Sequence, residues 1–571
     1  MRAYGRASGL RRANGRSSDS RSSQNWIRMI MSQVASLKPV DPKLAEHVSS
    51  SIAEAQAIYH LLFPTQHLRF VLTMGQDPVW AHPEVVEGPH VPSPRDLGAD
   101  YLGCIVRPGS HPDSPEVTIR LSIPRLPLPG EIKHLDAPWR PVRRLGTLFR
   151  VSPMGYEHIR YQAEMLRRRR SGRRHATRAL PLGEGSALLP RPKAPFSDLR
   201  PAILIGMHWL EMGGAEKLGF DTISWALAAG LRVIVVASVP GLQRLADRLP
   251  DHPDVTFIRL DRYLPRHLWP RYVEKLVLAE NIRAVHIHHC VPLYESLPML
   301  RMRLPWVRTI DSTHIIEHAD GGYPRISGVW SNYLDLQHVI SKEVKNYLTG
   351  QFHVSAGQVL LGRMLDRRDA SASLPPLRLQ PGQTKLHVSF IGRLYYQKRP
   401  VVLVECLRAL QSWAQKNGVA LTATIVGDGP YEATVTALLR RHGLGGQVTQ
   451  LPGQTDVPAL LDRSDILLLP SNNEGLALVC YEAVAHGCIP ISTRVGSQDE
   501  VVPDGLLVPL APYATVRGTV AAVDRMWRDP DFLAAQKAQL EAAWGRLAAD
   551  PTAEEVLMPI YRTLAAQAEE T

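Results

Sequence analysis

The densest chemistry in the sequence lies in Asn473-Glu474-Gly475-Leu476-Ala477-Leu478-Val479-Cys480-Tyr481-Glu482-Ala483. The apolar residues around it predict a buried helix after a buried strand. Glu474 precedes that helix and Glu482 lies about two turns into it, so both carboxylates can face one side. The free amides of Gly475 and Leu476 would then form a positive helix terminus. Carboxylates beside bare amides suit a ligand that carries both hydroxyls and phosphates. A second segment, Ile391-Gly392-Arg393-Leu394 with Lys398 and Arg399 behind it, ends another buried run. A cation at the carboxyl end of such a strand faces a cleft rather than bulk water. Arg393 has the fork to chelate phosphate oxygens, and Lys398 would act as a point charge. Arg399 reads as part of a solvated loop.

Two glycine segments are less specific. Gly213-Gly214-Ala215-Glu216 opens a helix after a strand, where glycines let a backbone approach a phosphate. Val426-Gly427-Asp428-Gly429-Pro430 is turn chemistry and reads as architectural. Opposite these, Asp311 follows a strand directly and His314 stands three residues later. Either could point into the cleft. His286, His288, His289, His314 and His318 invite a zinc reading. His286 and His288, however, share one face of a buried strand, and no cysteine pair is spaced with them, so no metal is expected. Cys104, Cys290, Cys406, Cys480 and Cys488 show neither metal spacing nor a disulfide framework, which fits a reducing cytosol.

Such side chains need rigid elements to hold them. From about residue 200 the chain repeats strand, turn and helix, with strands expected at Ala202–Ile205, Leu231–Ser238, Val255–Leu260, Ala284–Ile287, Val307–Ile310 and Gln358–Leu361. After a Pro/Gln/Gly-rich break from Ser371 to Thr384 the rhythm restarts at Leu386–Ile391, Leu421–Val426, Val448–Leu451, Ile466–Leu469 and Ile489–Ser492. This alternation predicts two parallel, doubly wound α/β domains, 201–384 and 385–545, that face a cleft. A helical tail over 546–571 follows. Upstream, 32–166 reads as an accessory region with a helix over 40–63 and short strands at Arg69–Thr73, Tyr101–Arg107 and Val117–Ile123, without chemistry of its own. Residues 167–200 read as a basic, proline-rich linker.

At 571 residues the chain needs more than one core, and its 44% hydrophobic and 21% charged residues are ordinary for a globular protein. No apolar run approaches the ~18 residues that a membrane span needs. The net charge of +12 is unevenly spread. Residues 1–31 hold seven arginines against one acid, Asp19. They are set aside as disordered, as an organelle transit peptide, or as an over-extended reading frame with Met29 or Met31 as the start. A second cluster, Arg167–Arg170 with Arg173, Arg174 and Arg178, suits an anionic membrane surface or a solvated segment. Nucleic acid is not an expected partner, because no aromatic platform accompanies the arginines.

From about 200 to 545 the order of these motifs resembles family 4 glycosyltransferases, a retaining group of GT-B fold. The resemblance rests on Gly213-Gly214, the Arg393 and Lys398 pair, the Glu474 and Glu482 pair, Gly487-Cys488-Ile489-Pro490, and Gly496 with Glu500. It implies a hexosyltransferase-type enzyme that moves a sugar from a nucleotide-diphosphate sugar to a glycan or lipid-linked acceptor, in cell-surface polysaccharide biosynthesis. Glu482 would hold the donor ribose and Glu474 the transferred sugar. Arg393 and Lys398 would steady the departing diphosphate, with no metal or other cofactor, and the acceptor side would be marked by Asp311, favoured by position, or His314, favoured by residue type. The setting expected is cytoplasmic, either free or peripheral on the inner face of the membrane. The family's usual Asn-Gly pair appears here as Gly362-Arg363, Ser497 stands for a second glycine, and Ala477 replaces a common Gly or Pro. Two alternatives stay open: a catalytically silent GT-B subunit that binds a partner, and an epimerase or phosphorylase of the same fold.

Overall fold

The computed structural model describes residues 42–88, 98–128, 138–171, 178–182, 192–211, 214–365, 374–476 and 478–566. Upstream, helix α1 (Pro42–Leu62) covers a four-stranded sheet of β1 (His67–Met74), β2 (Glu84–Glu87), β3 (Tyr101–Arg107) and β4 (Glu116–Ile123), in the order β2-β4-β1-β3. Val48, Ile52 and Tyr59 of α1 share one core with Phe70 and Ile119 of this sheet and with Tyr263 and Trp269 of the next domain. The Tyr59 hydroxyl donates to the Tyr263 carbonyl at 2.8 Å across that junction.

Helix α2 (Pro153–Ser171) behaves differently. It crosses the boundary expected at 166/167, so Arg167–Arg170 are helical rather than linker. Its surroundings belong to the downstream domain: Met154 joins that core, and Trp139 stacks on Tyr431 at 4.4 Å. The upstream chain is thus divided between the two halves of the molecule.

The first parallel sheet holds β5 (Ala202–Met207), β6 (Arg232–Ala237), β7 (Val255–Ile258), β8 (Ile282–His288), β9 (Arg308–Thr313), β10 (Leu336–Val339) and β11 (Val359–Leu361), in the order β11-β10-β9-β8-β5-β6-β7. Helix α3 (Gly214–Ala228) follows β5. The second sheet holds β12 (Lys385–Ile391), β13 (Ala420–Val426), β14 (Val448–Leu451), β15 (Ile466–Leu469), β16 (Ile489–Thr493) and β17 (Leu507–Val508), in the order β14-β13-β12-β15-β16-β17. In both, the first strand is central and the order reverses beside it. That is the doubly wound arrangement, and it opens a crevice at the strands' carboxyl ends. Every residue of β5, β15 and β16 is buried, as strands covered on both faces must be. The two α/β domains form the expected GT-B fold.

Helix α4 (Leu478–Ala485) follows β15, and α5 (Pro512–Arg528) packs on the second domain. Helix α6 (Ala553–Ala566) returns to the first domain. Its Leu557, Tyr561 and Leu564 share a core with Ile203 and Ile310, so the tail completes the domain that the chain left at β11. β10 was not among the expected strands. Its Gln337 and His338 are polar yet fully buried: Gln337 Nε2 donates to Ser327, and His338 bonds Ser312 and the Gly362 carbonyl.

Candidate functional site

A cavity of about 680 Å³ lies between the two sheets, at the carboxyl ends of β5, β8, β9, β12 and β15. Arg393, Lys398, Glu474, Gly475, Leu476 and Glu482 line it from the second domain, and His314 lines it from the first. His314 and Glu482, 168 positions apart in the sequence, are thereby brought to one site.

Glycines set how closely the loops approach. A Cβ on Gly427 would stand 2.0 Å from the Gly392 carbonyl oxygen, so Gly427 lets the Arg393 loop lie against the end of β13. Gly496, at φ 56°, passes under the Glu474 peptide, where a Cβ would meet the Glu474 carbonyl oxygen at 1.9 Å. At Gly475 a Cβ would meet the His314 carbonyl oxygen at 2.2 Å, which makes Gly475 a point of contact between the domains. The Gly427-Asp428-Gly429 turn is architectural: Asp428 accepts from the Gly453 amide at 3.0 Å and its carbonyl from the Leu394 amide at 2.8 Å.

The charges meet in pairs. Lys398 closes a short turn, Tyr396–Lys398, and its Nζ lies 2.6 Å from Glu474 Oε1. Glu474 is 6% exposed. Arg393 is exposed to the cleft, its guanidinium 5.2 Å from the Tyr395 ring centroid. Glu482 is exposed and lines the same cavity. Because α4 begins at Leu478, Glu482 stands about one turn into the helix rather than two. Arg399 is not in a solvated loop. It is 4% exposed, at φ 52°, and its Nη1 donates to the Leu510 carbonyl at 2.8 Å.

Asp311 and His314 separate clearly. β9 runs on to Thr313, so Asp311 lies within the strand, fully buried, and accepts from the Tyr294 hydroxyl at 2.7 Å. It is absent from the cavity wall. Burial pushes its carboxyl up to about 7, against hydrogen bonds from Ser327 and Tyr294. His314 faces the cavity, and burial, with His338 nearby, pushes its imidazole down to about 3. Beside it, His289 stacks on Tyr323 at 4.0 Å, and the Tyr323 hydroxyl bonds His208 Nδ1 at 2.9 Å.

Gly213 lies outside the described residues, and Gly214 is the first residue of α3. From the same motif Glu216 reaches the cavity. Its Oε1 accepts from Trp209 Nε1 at 2.8 Å, and burial raises its carboxyl while Arg393 across the cleft opposes the rise. Trp209 and Tyr323 also line the wall, as do Glu164 and Arg168 of α2, all absent from the sequence-based site. Trp209 was findable as a residue just past a parallel strand. The histidines of β8 are structural: His286 bonds the Tyr561 hydroxyl at 2.7 Å and Ser312 Oγ at 2.9 Å. Among the described residues no group of three or more His, Cys, Asp or Glu is placed to hold a metal ion.

Residues 378–539 match the family described as Glycosyl transferases group 1, and so carry a domain of that kind. N-acetyl-alpha-D-glucosaminyl L-malate synthase of Bacillus anthracis is 25% identical over 267 residues, 44% of this chain and 67% of that protein. Glycogen synthase of Mycobacterium tuberculosis is 27% identical over 277 residues, 47% of this chain and 64% of that protein. The chain therefore spans about two thirds of the length of these curated relatives. Sucrose-phosphate synthase of Thermosynechococcus elongatus superposes with a TM-score of 0.47 at 22% identity, covering 64% of this chain and 99% of that one.

Proposed function

We propose that this chain is a retaining glycosyltransferase of family 4, which moves a hexosyl group from a nucleotide-diphosphate sugar to a glycan or lipid-linked acceptor in cell-surface polysaccharide assembly. The observation that carries the reading is the convergence of Arg393, Lys398, Glu474 and Glu482 on one interdomain cavity opposite His314. Glu482 holds the donor ribose through its hydroxyls, and Glu474 holds those of the transferred sugar. Arg393 and Lys398 bind the diphosphate and stabilise the charge it gains as the glycosidic bond breaks. The leaving diphosphate oxygen takes the proton of the acceptor hydroxyl while the new bond forms on the same face. His314 borders the place of that hydroxyl, and burial keeps its imidazole neutral. The positive charge in this reading comes from Arg393 and Lys398, without a resident metal or cofactor.

The enzyme works on the cytoplasmic side, docked on an anionic membrane surface. Among the described residues no helix is long and apolar enough to cross a membrane. Helix α2, however, exposes Ile159 (47%) and Leu166 (49%) together with Arg167, Arg169 and Arg170. Apolar and basic residues on one exposed helix face suit the boundary between headgroups and acyl chains.

A thermal-shift screen against UDP, GDP and ADP and their sugars tests the donor assignment. A nucleotide at 100 times its Kd stabilises the fold by about 2.7 kcal/mol. The anomeric configuration of the product then tests retention. Absence of any nucleotide response removes the donor reading, and an inverted product removes retention.

A further inference from the structure

Glu157, Arg160, Glu164 and Arg168 of α2 recur at steps of three, four and four residues, so they share one helix face. That face meets the two loops that carry the cavity's charges. The Arg160 guanidinium lies 3.3 Å from the Tyr396 ring centroid, and its Nη1 donates to the Tyr431 hydroxyl at 2.7 Å. The Tyr396 hydroxyl donates to Glu164, whose carboxylate also receives Arg168. Arg168 Nη2 reaches the Asn472 carbonyl at 3.5 Å. Burial opposes ionisation of Glu164, but its bonds to Tyr396 and Arg168 prevail and hold the carboxyl below its usual range.

Tyr396 opens the turn that Lys398 closes. Between them, Gln397 ties this loop to the Glu474 loop. Its carbonyl accepts from the Asn472 amide at 2.8 Å, and its Nε2 donates to the Asn473 carbonyl at 2.8 Å. Lys398 and Glu474 thus stand on two loops that are laced to each other and anchored through Tyr396 and Asn472 to a helix that the upstream chain contributes. A lysine with a four-carbon stem has many rotamers to lose, and a turn that is held in place limits them.

We infer that Glu164 and Tyr396 are positioning residues for Lys398, and that α2, contributed by the upstream chain, is a third wall of the substrate cleft. The inference rests on the reading of Lys398 as a diphosphate contact. A helix that merely packed would give a general loss of stability when altered, with no selective effect on this loop. A positioning bond instead acts on Lys398 and leaves the folds of the two domains alone.

Two measurements on Glu164→Ala, Glu164→Gln, Tyr396→Phe and the Glu164→Ala/Tyr396→Phe double variant test it, with melting curves alongside. The first is amide hydrogen exchange without nucleotide. Residues 394–399 should exchange faster in Glu164→Ala and Tyr396→Phe, and nearly as in the wild type in Glu164→Gln, whose amide oxygen still accepts from Tyr396. The second is calorimetric affinity for UDP, GDP and ADP. Each disrupting single variant should weaken the best-bound nucleotide about tenfold. The double variant should weaken it no further than Glu164→Ala alone, because the bond that Tyr396→Phe removes is already lost in Glu164→Ala. Unchanged exchange in 394–399 in both disrupting variants, or additive losses of affinity, would overturn the inference. A wild-type protein that binds none of the three nucleotides, while exchange responds as stated, would remove the diphosphate role of Lys398 and leave the Glu164–Tyr396 tether standing.

Discussion

Lys398 Nζ lies 2.6 Å from Glu474 Oε1, so the cavity's inner cation is held by a carboxylate before any anion arrives. A diphosphate that binds Lys398 must share or displace this contact. Lys398→Ala removes a charged donor and should weaken nucleoside diphosphate affinity by about 1.5–3 kcal/mol. Glu474→Gln leaves the cation with a neutral neighbour, so nucleoside diphosphate affinity should hold or rise. Turnover should fall in the same variant, because a carboxylate beside the sugar ring helps most when positive charge develops there. Calorimetry and steady-state kinetics on the two variants check these opposite signs. Loss of nucleotide affinity in Glu474→Gln would contradict the assignment.

Much of this site could be read from the sequence because its residues end buried, apolar strands. Arg393 and Glu474 each follow a run whose hydrophobicity announces the strand. The same rule failed where polar residues are interior. β10 contains Gln337 and His338, and β9 continues past its apolar part through Asp311, which pairs in register with Gln337. An apolar pattern therefore ends those strands early or misses them, and Asp311 was placed in a loop that does not exist. α2 was hidden for a different reason. The part of its inward face that meets the cleft is charged rather than apolar, so the pattern ends the accessory region at 166 and starts a linker, whereas Glu164 and Arg168 sit on one helix and bond Tyr396 and Asn472. Arg399 looked solvated because nothing in its neighbourhood announces that the guanidinium turns inward.

The arginine cluster should divide by direction. Arg168 turns to the cleft, whereas Arg167, Arg169 and Arg170 are exposed. Each exposed arginine near an anionic surface contributes about 1 kcal/mol. Changing Arg167, Arg169 and Arg170 together to Gln should therefore release the protein from vesicles containing phosphatidylserine, and salt should do the same to the wild type. Arg168→Gln should change co-sedimentation much less. Equal binding to neutral vesicles would argue against an electrostatic docking face.

His314 should make the fold acid-sensitive. Its folded value, about 3, lies below the ~6.5 of an unfolded histidine. Between those values the unfolded chain binds the extra proton, so stability is lost as pH falls through that window, by up to about 1.4 kcal/mol per pH unit. Nearby carboxyls such as Asp311, raised to about 7, act in the opposite sense, so the whole-protein slope does not isolate one residue. The difference between wild type and His314→Gln does. Denaturant unfolding at pH 7 and pH 5 should show the variant losing about 2 kcal/mol less on acidification. Equal losses would place the acid sensitivity elsewhere.

The Gly362-Arg363 pair, which stands where family 4 glycosyltransferases usually have Asn-Gly, has a structural role that can be measured. Arg363 is 1% exposed and stands where the first domain meets the second and the returning tail. Its Nη2 pairs with Asp550 at 2.7 Å and with Glu500 at 2.6 Å, and its Nη1 donates to the Ile340 carbonyl at 3.1 Å. Its backbone joins the tail as well, through Pro551 and Ala553. Arg363→Met keeps the length of the side chain but leaves Glu500 without its cation and Asp550 with only Lys342, at 4.0 Å. Removing one partner of a buried pair costs about 3–5 kcal/mol, and the partial exposure of both carboxylates reduces this to about 2–4 kcal/mol. The penalty arises from uncompensated charge rather than from lost attraction, so neutralising the carboxylates should recover it. Arg363→Met combined with Glu500→Gln and Asp550→Asn should melt closer to the wild type than Arg363→Met alone. If the triple variant is the less stable of the two, Arg363 contributes by its hydrogen bonds and packing, and charge compensation at this junction is not what holds the tail in place.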